Sequence, residues 1–366
     1  MHYNRDIMAE RSVKVAYVID DLGRGGAQRQ LSLLAPALAA RARGAVVFCM
    51  SSITAPFADV IRAGGVEVRA FERRSSMDLV RLALLRRGIR DEGADVVHSF
   101  LDASNVYAYA AARSLRLPVV LSLRSDRLSL KGVRGRVLRT MLRNAEAVVA
   151  NSEAGHRALV SQIGVDQARA LLVRNCVDVE SYEAGERGDS PVVGFVGRLV
   201  ASKGVDRLVE SFADADVRGS SLVVVGGGPE SERLEALVRE RGLVDRVTFA
   251  GAVDDVRPWL HRFTCLVLPS EYEGLPNALL EALAAGVPVV APPVGDVASI
   301  VEDGRTGILV AEGAALPAAI VRALRDTDLQ RSARAEGPAF VRENFSVDRA
   351  ADALLYCYHR LVSAGR

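Results

Sequence analysis

The sequence predicts an α/β protein built from two doubly wound parallel-sheet domains, and three observations carry that prediction. Short valine-rich apolar runs alternate along the chain with stretches of helical period rich in Ala, Leu and Arg. Strands that are apolar without interruption belong to parallel sheets buried on both faces, and strand–helix alternation is the doubly wound pattern. The rhythm restarts after residue 190, and 366 residues is the length of two domains.

Residues 13–19 form the first predicted strand and run into a glycine-rich turn, DDLGRGGAQ. A helix is predicted over 28–41, although Pro36 disturbs it. Further strands are predicted at 45–50, 66–70, 95–99, 119–123 and 147–150. In the second half they lie in PVVGFVG, SLVVVGGG, RVTFAG, CLVLPS and GVPVVAP. The stretch 183–191, EAGERGDSP, is polar, contains glycine and ends in proline, which is linker chemistry. It sets the expected domains at 1–187 and 188–346, with a final helix at about 347–366 packing back onto the first.

Composition excludes several classes. The chain is 49% hydrophobic and 25% charged, enough apolar content for two cores. It has no apolar run of 18 residues, so no spanning helix is expected. Residues 1–12 are polar and charged, and they read as a frayed tail rather than a secretory signal. Cys49, Cys176, Cys265 and Cys357 show no CxxC spacing, so buried thiols in a reduced cytoplasm are expected. Zinc-finger spacing and RNA-binding aromatic patterns are missing, which argues against nucleic acid. Residues 1–188 hold 28 basic and 20 acidic residues, a net of +8. The rest hold 19 and 25, a net of −6. The first half is expected to face something anionic.

Four features of the second half converge on one ligand. Gly197-Arg198-Leu199 ends a strand and is followed by Lys203-Gly204. Ligands of open α/β sheets bind at the carboxyl ends of strands, where this loop lies. Lys203 is one of three lysines among 47 basic residues, and a compact ammonium suits a phosphate. Gly226-Gly227-Gly228-Pro229-Glu230 turns from strand to helix; alone it needs no ligand. Glu273-Gly274-Leu275-Pro276-Asn277-Ala278-Leu279-Leu280-Glu281 places a shaped loop at a helix start, whose amide groups suit a phosphate. Its two glutamates stand too far apart to share a proton and can bind hydroxyls at two ends of an elongated ligand. GAVDDV at 251–256 can hold a flat base against the backbone near Val253, or be an ordinary surface turn.

These residues resemble family 4 of the retaining glycosyltransferases. The matching stretches are VGRLVASKG, VVGGGPE, FAGAVDDV, PSEYEGLPNALLEALAAGVPVVAPPVGD and EDGRTGILV, with GGAQ, DVVHS, VVANSEAG and RNCVD in the first half. The resemblance implies a fold of two facing Rossmann-like domains with a cleft between them, the GT-B arrangement. It also implies glycosyl transfer with retention from a nucleotide sugar, most commonly a UDP-sugar. Carried over by position, Arg198 and Lys203 neutralise the donor diphosphate, Glu273 binds sugar hydroxyls and Glu281 the ribose. The loop Gly274, Leu275, Pro276, Asn277 and Ala278 completes the cradle with the backbone N–H groups around Leu275–Ala278, Pro276 shaping the turn without donating. Gly25 and Gly26 let the N-terminal loop approach the donor phosphate. His98, at the end of its strand, is expected beside the sugar and the reaction centre. The sequence departs from the pattern at Cys176, where the family often has glycine, so that turn must avoid a glycine-only conformation. No role is assigned to Gly295 through Ser299. Arg124 stands where many relatives have His and is expected on the acceptor side, reading an acidic or acetamido group.

The implied reaction transfers the sugar through an oxocarbenium-like state while charge grows on the leaving diphosphate. Asp20-Asp21 and Asp254-Asp255 are adjacent pairs read as turn or cap residues, so neither a metal nor a cofactor is expected. A sugar-nucleotide epimerase of the same fold, and an inactive donor-binding scaffold, are the rival readings. Donor hydrolysis with and without acceptors separates them. The expected acceptor is a glycan or lipid-linked group. Residues 127–143, RLSLKGVRGRVLRTMLR, carry six cations and no acid. Part of the stretch can form a basic amphipathic helix on an anionic membrane, at the inner face of the cytoplasmic membrane, or else a core-packing helix whose arginines are merely solvated.

Overall fold

The computed structural model describes residues 13–72, 78–124, 132–182, 188, 190–215, 217–311 and 316–364. The chain divides into two compact units, Met1–Cys176 with Val347–Arg366, and Val177–Ser346.

Unit 1 contains β1 (Lys14–Ile19), α1 (Gly26–Ala39), β2 (Gly44–Cys49), α2 (Phe57–Ala63), β3 (Glu67–Ala70), α3 (Leu79–Asp91) and β4 (Val96–Ser99). It continues through α4 (Asp102–Leu115), β5 (Val119–Leu123), α5 (Gly132–Asn144), β6 (Ala147–Ala150), α6 (Glu153–Ala158) and β7 (Ala170–Leu172). The sheet order is β3-β2-β1-β4-β5-β6-β7, with every pair parallel. Alternation along β1 shows why both faces must be covered. Val15, Tyr17 and Ile19 enter one core with Leu31, Leu34 and Ile61, whereas Ala16 and Val18 enter the other with Leu85, Ala108 and Leu142.

Unit 2 contains β8 (Val192–Val196), α7 (Val205–Asp214), β9 (Ser221–Val225), α8 (Ser231–Glu240), β10 (Val247–Gly251), α9 (Arg257–Leu260) and β11 (Cys265–Val267). It ends with α10 (Asn277–Ala284), β12 (Val289–Ala291), α11 (Val297–Ile300), β13 (Gly307–Leu309), α12 (Leu316–Arg325) and α13 (Thr327–Phe345). Its order, β10-β9-β8-β11-β12-β13, is again parallel throughout and repeats the pattern of unit 1. Both units are Rossmann-like. The last helix, α14 (Val347–Ala364), packs on α1 and β4 of unit 1. Leu354, Leu355 and Tyr358 complete the core that holds Tyr17.

Two differences from the sequence reading have physical causes. The division falls at 176/177 rather than at 187/188, because Val177, Val179 and Tyr182 are buried in the core of unit 2. Helix α1 starts at Gly26 rather than 28, since the extended Gly25 (φ −172°) stands at its N-cap. Pro36 lies inside the helix, and its carbonyl accepts from the Ala40 amide at 3.0 Å as the helix ends.

Candidate functional site

Parallel pairing puts every strand-to-helix turn of unit 2 on one edge, and four of those turns interlock. The turn after β8 packs on the turn after β9, where the Leu199 amide donates to the Gly227 carbonyl at 3.0 Å. A Cβ at Gly226 would lie 1.8 Å from the Gly197 carbonyl oxygen, and Gly226 has a φ of +148°. Gly228 likewise faces backbone, since a Cβ there would lie 2.2 Å from the Leu199 carbonyl oxygen, so these two glycines are explained by backbone meeting backbone. Leu199 anchors the turn at 1% exposure, while Arg198 beside it is exposed.

Lys203 closes a single helical turn, Ala201–Lys203, and its ammonium meets Glu273 at 2.5 Å. The same Glu273 Oε1 accepts from the Ser270 hydroxyl at 2.7 Å. The Glu271 amide donates to the Ser202 carbonyl at 3.0 Å, which ties the two turns together. Below this loop the Asp296 amide donates to the Gly274 carbonyl at 3.0 Å. Gly295, with a φ of +56°, leaves no room for a Cβ, which would stand 1.8 Å from the Glu273 carbonyl oxygen. Gly295 and Ser270 thus support Glu273. Sequence reasoning assigned neither, because a lone Ser or Gly in a turn gives no distinguishing signal.

Helix α10 starts after an extended Pro276, which supplies no capping side chain. Leu275 is buried, Asn277 and Ala278 are half-buried, and Glu281 in the second turn is 4% exposed. Val253 packs against the core of unit 2. Of the neighbouring acids, Asp255 accepts from the Arg257 amide at 2.9 Å and pairs with its guanidinium at 2.8 Å, in the turn before α9. In unit 1, Asp21 accepts from the Gly23 amide at 2.8 Å and Asp20 from the Ser104 amide at 2.5 Å.

Gly25, Gly26, His98 and Arg124 belong to unit 1. A Cβ at Gly25 would meet the Gln28 side chain, whose amide donates to Asp21 at 3.0 Å. His98 is the third residue of β4. Its side chain is fully buried in β4 rather than presented at the strand end. One ring nitrogen is hydrogen-bonded to the Tyr358 hydroxyl at 2.6 Å and the other to the Ser122 hydroxyl at 2.9 Å. Tyr17 and Tyr358 hydroxyls lie 3.4 Å apart in the same cluster. Burial, and after it the Arg124 guanidinium, hold the imidazole well below its ordinary pKa, so it is neutral. Both ring nitrogens of His98 are thus hydrogen-bonded within this buried cluster.

Arg124 follows β5 and is part-exposed, with its guanidinium 4.5 Å from the Phe100 ring centre. The turn at Cys176 avoids left-handed backbone, and among the described residues only Arg116 adopts it without being glycine. Of the basic stretch 127–143, residues 127–131 and the Arg134 side chain lie outside the described residues. Along the rest of α5, Leu142 is buried and Leu138 and Met141 pack on the core. The apolar surface left outside is smaller than expected, with Val133 and Val137 exposed beside Arg136 and Arg143. No helix among the described residues is long and apolar enough to cross a membrane.

The chain matches Glycosyltransferase Family 4 over residues 24–181 and Glycosyl transferases group 1 over residues 190–326. It is 29% identical over 308 residues to alpha-D-kanosaminyltransferase of Streptomyces kanamyceticus, covering 75% of this chain and 80% of that one. It is 32% identical over 222 residues to the lipopolysaccharide core biosynthesis glycosyltransferase LpsE of Rhizobium meliloti, covering 58% and 64%. The crystal structure of Anabaena HepE in complex with UDP-glucose has a TM-score of 0.83 at 21% identity, over 95% of this chain and 100% of that one. A likeness at that identity establishes the fold.

Proposed function

We propose, on the premise that this chain belongs to the group 1, family 4 glycosyltransferases, that it is a retaining transferase using a nucleotide-sugar donor. The donor is a UDP-sugar carrying a hexose or N-acetylhexosamine. The acceptor is a glycan or a lipid-linked group in cell-envelope polysaccharide or glycolipid synthesis. One observation carries the reading: Lys203 and Glu273 meet at 2.5 Å on the carboxyl edge of a Rossmann-like sheet, beside the exposed Arg198. A cation for phosphate and a carboxylate for hydroxyls then adjoin at one point, as a sugar diphosphate requires. The UDP-glucose bound by Anabaena HepE supports the same donor class.

The bond between the sugar carbon and the diphosphate oxygen breaks as the acceptor oxygen bonds that carbon from the same face. Negative charge grows on the departing diphosphate, and Arg198 with Lys203 stabilises it, helped by the amides at the start of α10. The departing phosphate oxygen takes the acceptor proton. Glu273 holds the sugar hydroxyls and Glu281 the ribose. Gly25 and Gly26 admit the phosphate from the N-terminal loop, and Val253 lies against the base. These two cations take the place of a metal, and no step is routed through a cofactor.

A thermal-shift panel of nucleotide sugars tests the donor. A ligand at 100 times its dissociation constant adds about 2.7 kcal/mol. UDP-sugars should raise the melting temperature, and nucleoside monophosphates at the same concentration should do so far less. A panel in which no nucleotide sugar moves it would sink the reading. The proposal extends to an anionic membrane surface touched by α5, where each cation is worth ~1 kcal/mol. Vesicle co-sedimentation should need anionic lipid, weaken with salt and drop when Arg136 and Arg143 become Gln. Equal pelleting with neutral vesicles would remove this part.

A further inference from the structure

Arg124 is a part-exposed cation with no anionic neighbour among the described residues. It stands at the carboxyl edge of unit 1's sheet, one residue past β5, where open α/β sheets receive ligands. The Phe100 ring backs its guanidinium at 4.5 Å, and one terminal nitrogen donates to Asn175 Oδ1 at 3.0 Å. That oxygen also accepts from the Asn151 amide at 3.3 Å, so the acceptor is itself fixed. Arg124 Nε is buried and makes no hydrogen bond.

The ionisable groups that act on Arg124 are the Cys176 thiol and the Tyr358 hydroxyl. Burial pushes the thiol up to about 12 and the phenol well above its ordinary value, so neither carries charge at neutral pH. Burial also pulls the guanidinium down to about 10, which leaves it cationic at neutral pH. Lys203, by contrast, has Glu273 at 2.5 Å. Desolvating an ion costs several kcal/mol when no opposite charge repays it. A cation that has no opposite charge among the described residues, is rigidly held and is still part-exposed is suited to receive an anion. Its planar fork favours an oxyanion with two adjacent oxygens.

We propose that Arg124 binds an oxyanion, a phosphate or carboxylate group, carried by the acceptor. The word acceptor rests on the glycosyltransferase reading; the anion preference rests on the geometry of Arg124. The donor diphosphate already has Arg198 and Lys203 in unit 2, and a neutral hydroxyl would leave the Arg124 charge uncompensated.

The test is calorimetry on the full chain saturated with UDP, using glycerol 3-phosphate, D-glycerate, glycerol and dihexanoyl phosphatidylglycerol below its micelle concentration. The wild type should bind the anionic probes in preference to glycerol. Glycerol 3-phosphate alone would mark a soluble phosphorylated acceptor, D-glycerate a carboxylate, and the short-chain lipid a lipid-borne phosphodiester. Arg124→Gln should weaken anionic-probe binding by roughly 10- to 100-fold, the worth of one charge-assisted hydrogen bond, without changing UDP affinity. Arg124→Lys keeps the charge and loses the fork, so it should bind the anion more weakly than wild type yet still prefer it to glycerol; it serves if the Gln variant does not fold. No preference for anion over glycerol in the wild type overturns the proposal. So does a loss of UDP affinity in Arg124→Gln equal to the loss for the anionic probes, which would assign the anion to the donor. Failure of the wild type to bind UDP at all would instead strike the donor reading and leave the discrimination by Arg124 measurable.

Discussion

The two units share a strand order and treat the polar groups near their carboxyl edges in opposite ways. In unit 2, charge meets charge near solvent: Lys203 and Glu273 are joined by Ser270, and Arg198 is exposed beside them. In unit 1 the cluster of Tyr17, His98, Ser122 and Tyr358 is neutral and fully buried, and it adjoins a cation, Arg124, that has no anionic neighbour among the described residues. Charged groups that do electrostatic work on a ligand must stay within its reach, whereas buried polar groups survive by hydrogen bonding and by giving up their charge. The edge of unit 2 is thus fit to stabilise a diphosphate. The cluster of unit 1 is fit to hold a frame.

The largest effects that can break this contrast lie in unit 2. Arg198→Ala and Lys203→Ala should each lower turnover by ~10²–10³, the usual loss for one preorganised donor to developing charge. The two should differ in stability. Lys203→Ala strands the buried Glu273 carboxylate, but Arg198→Ala removes an exposed side chain and should stay within about 0.5 kcal/mol of wild type. Glu273→Gln should weaken the sugar nucleotide and leave the nucleoside diphosphate as tight or tighter, because Lys203 is released from its partner. Near-normal turnover in both folded cation variants would sink the phosphate clamp, and equal loss on both ligands would sink the role of Glu273.

In unit 1 the expected loss is in stability. Tyr358→Phe leaves one His98 ring nitrogen without a partner in the core, at a cost of about 1–3 kcal/mol. Urea unfolding should show that loss while turnover per folded molecule stays unchanged. A variant with wild-type stability and impaired turnover would place the cluster in the chemistry instead.

The contrast also separates what could be read from the sequence. Strands β5 and β6 have the predicted bounds because they are continuous apolar runs. Strands β7 and β13 escaped notice: each has three residues and is outermost in its sheet, too short for a period to show. Lys203 and Glu273 were legible because each stands in its own recognisable turn, although their direct pairing was not. The burial of His98 was not legible, because its partner Tyr358 lies 260 residues away on a helix that returns from the far end of the chain. A histidine near a strand's end looks alike in sequence whether its side chain is presented or sealed in.

The smallest effect, and the most specific, is the acid dependence of His98. Its folded pKa is depressed well below the ordinary value of about 6.5, first by burial and then by the Arg124 charge. The unfolded chain takes up a proton on this ring as pH falls through about 6.5, and the folded chain does not. The unfolded state then binds more protons, so the contribution is fully present above 6.5 and lost as pH falls. The limiting slope is ~1.4 kcal/mol per pH unit. His359 is also lowered by burial and acts in the same direction. Asp20 and Asp102 are raised by burial, so they oppose the trend, at lower pH, where their folded forms hold protons the unfolded chain has released. Urea midpoints from pH 7.5 to 5 should therefore decline in the wild type, and His98→Gln should remove close to one proton's worth of that slope while lowering stability at pH 7.5. The pH profile of turnover should carry no ionisation belonging to His98. An acid limb of turnover near 6.5 that disappears in His98→Gln would mean the ring reaches the reacting groups, and the division between a charged edge and a sealed frame would not hold.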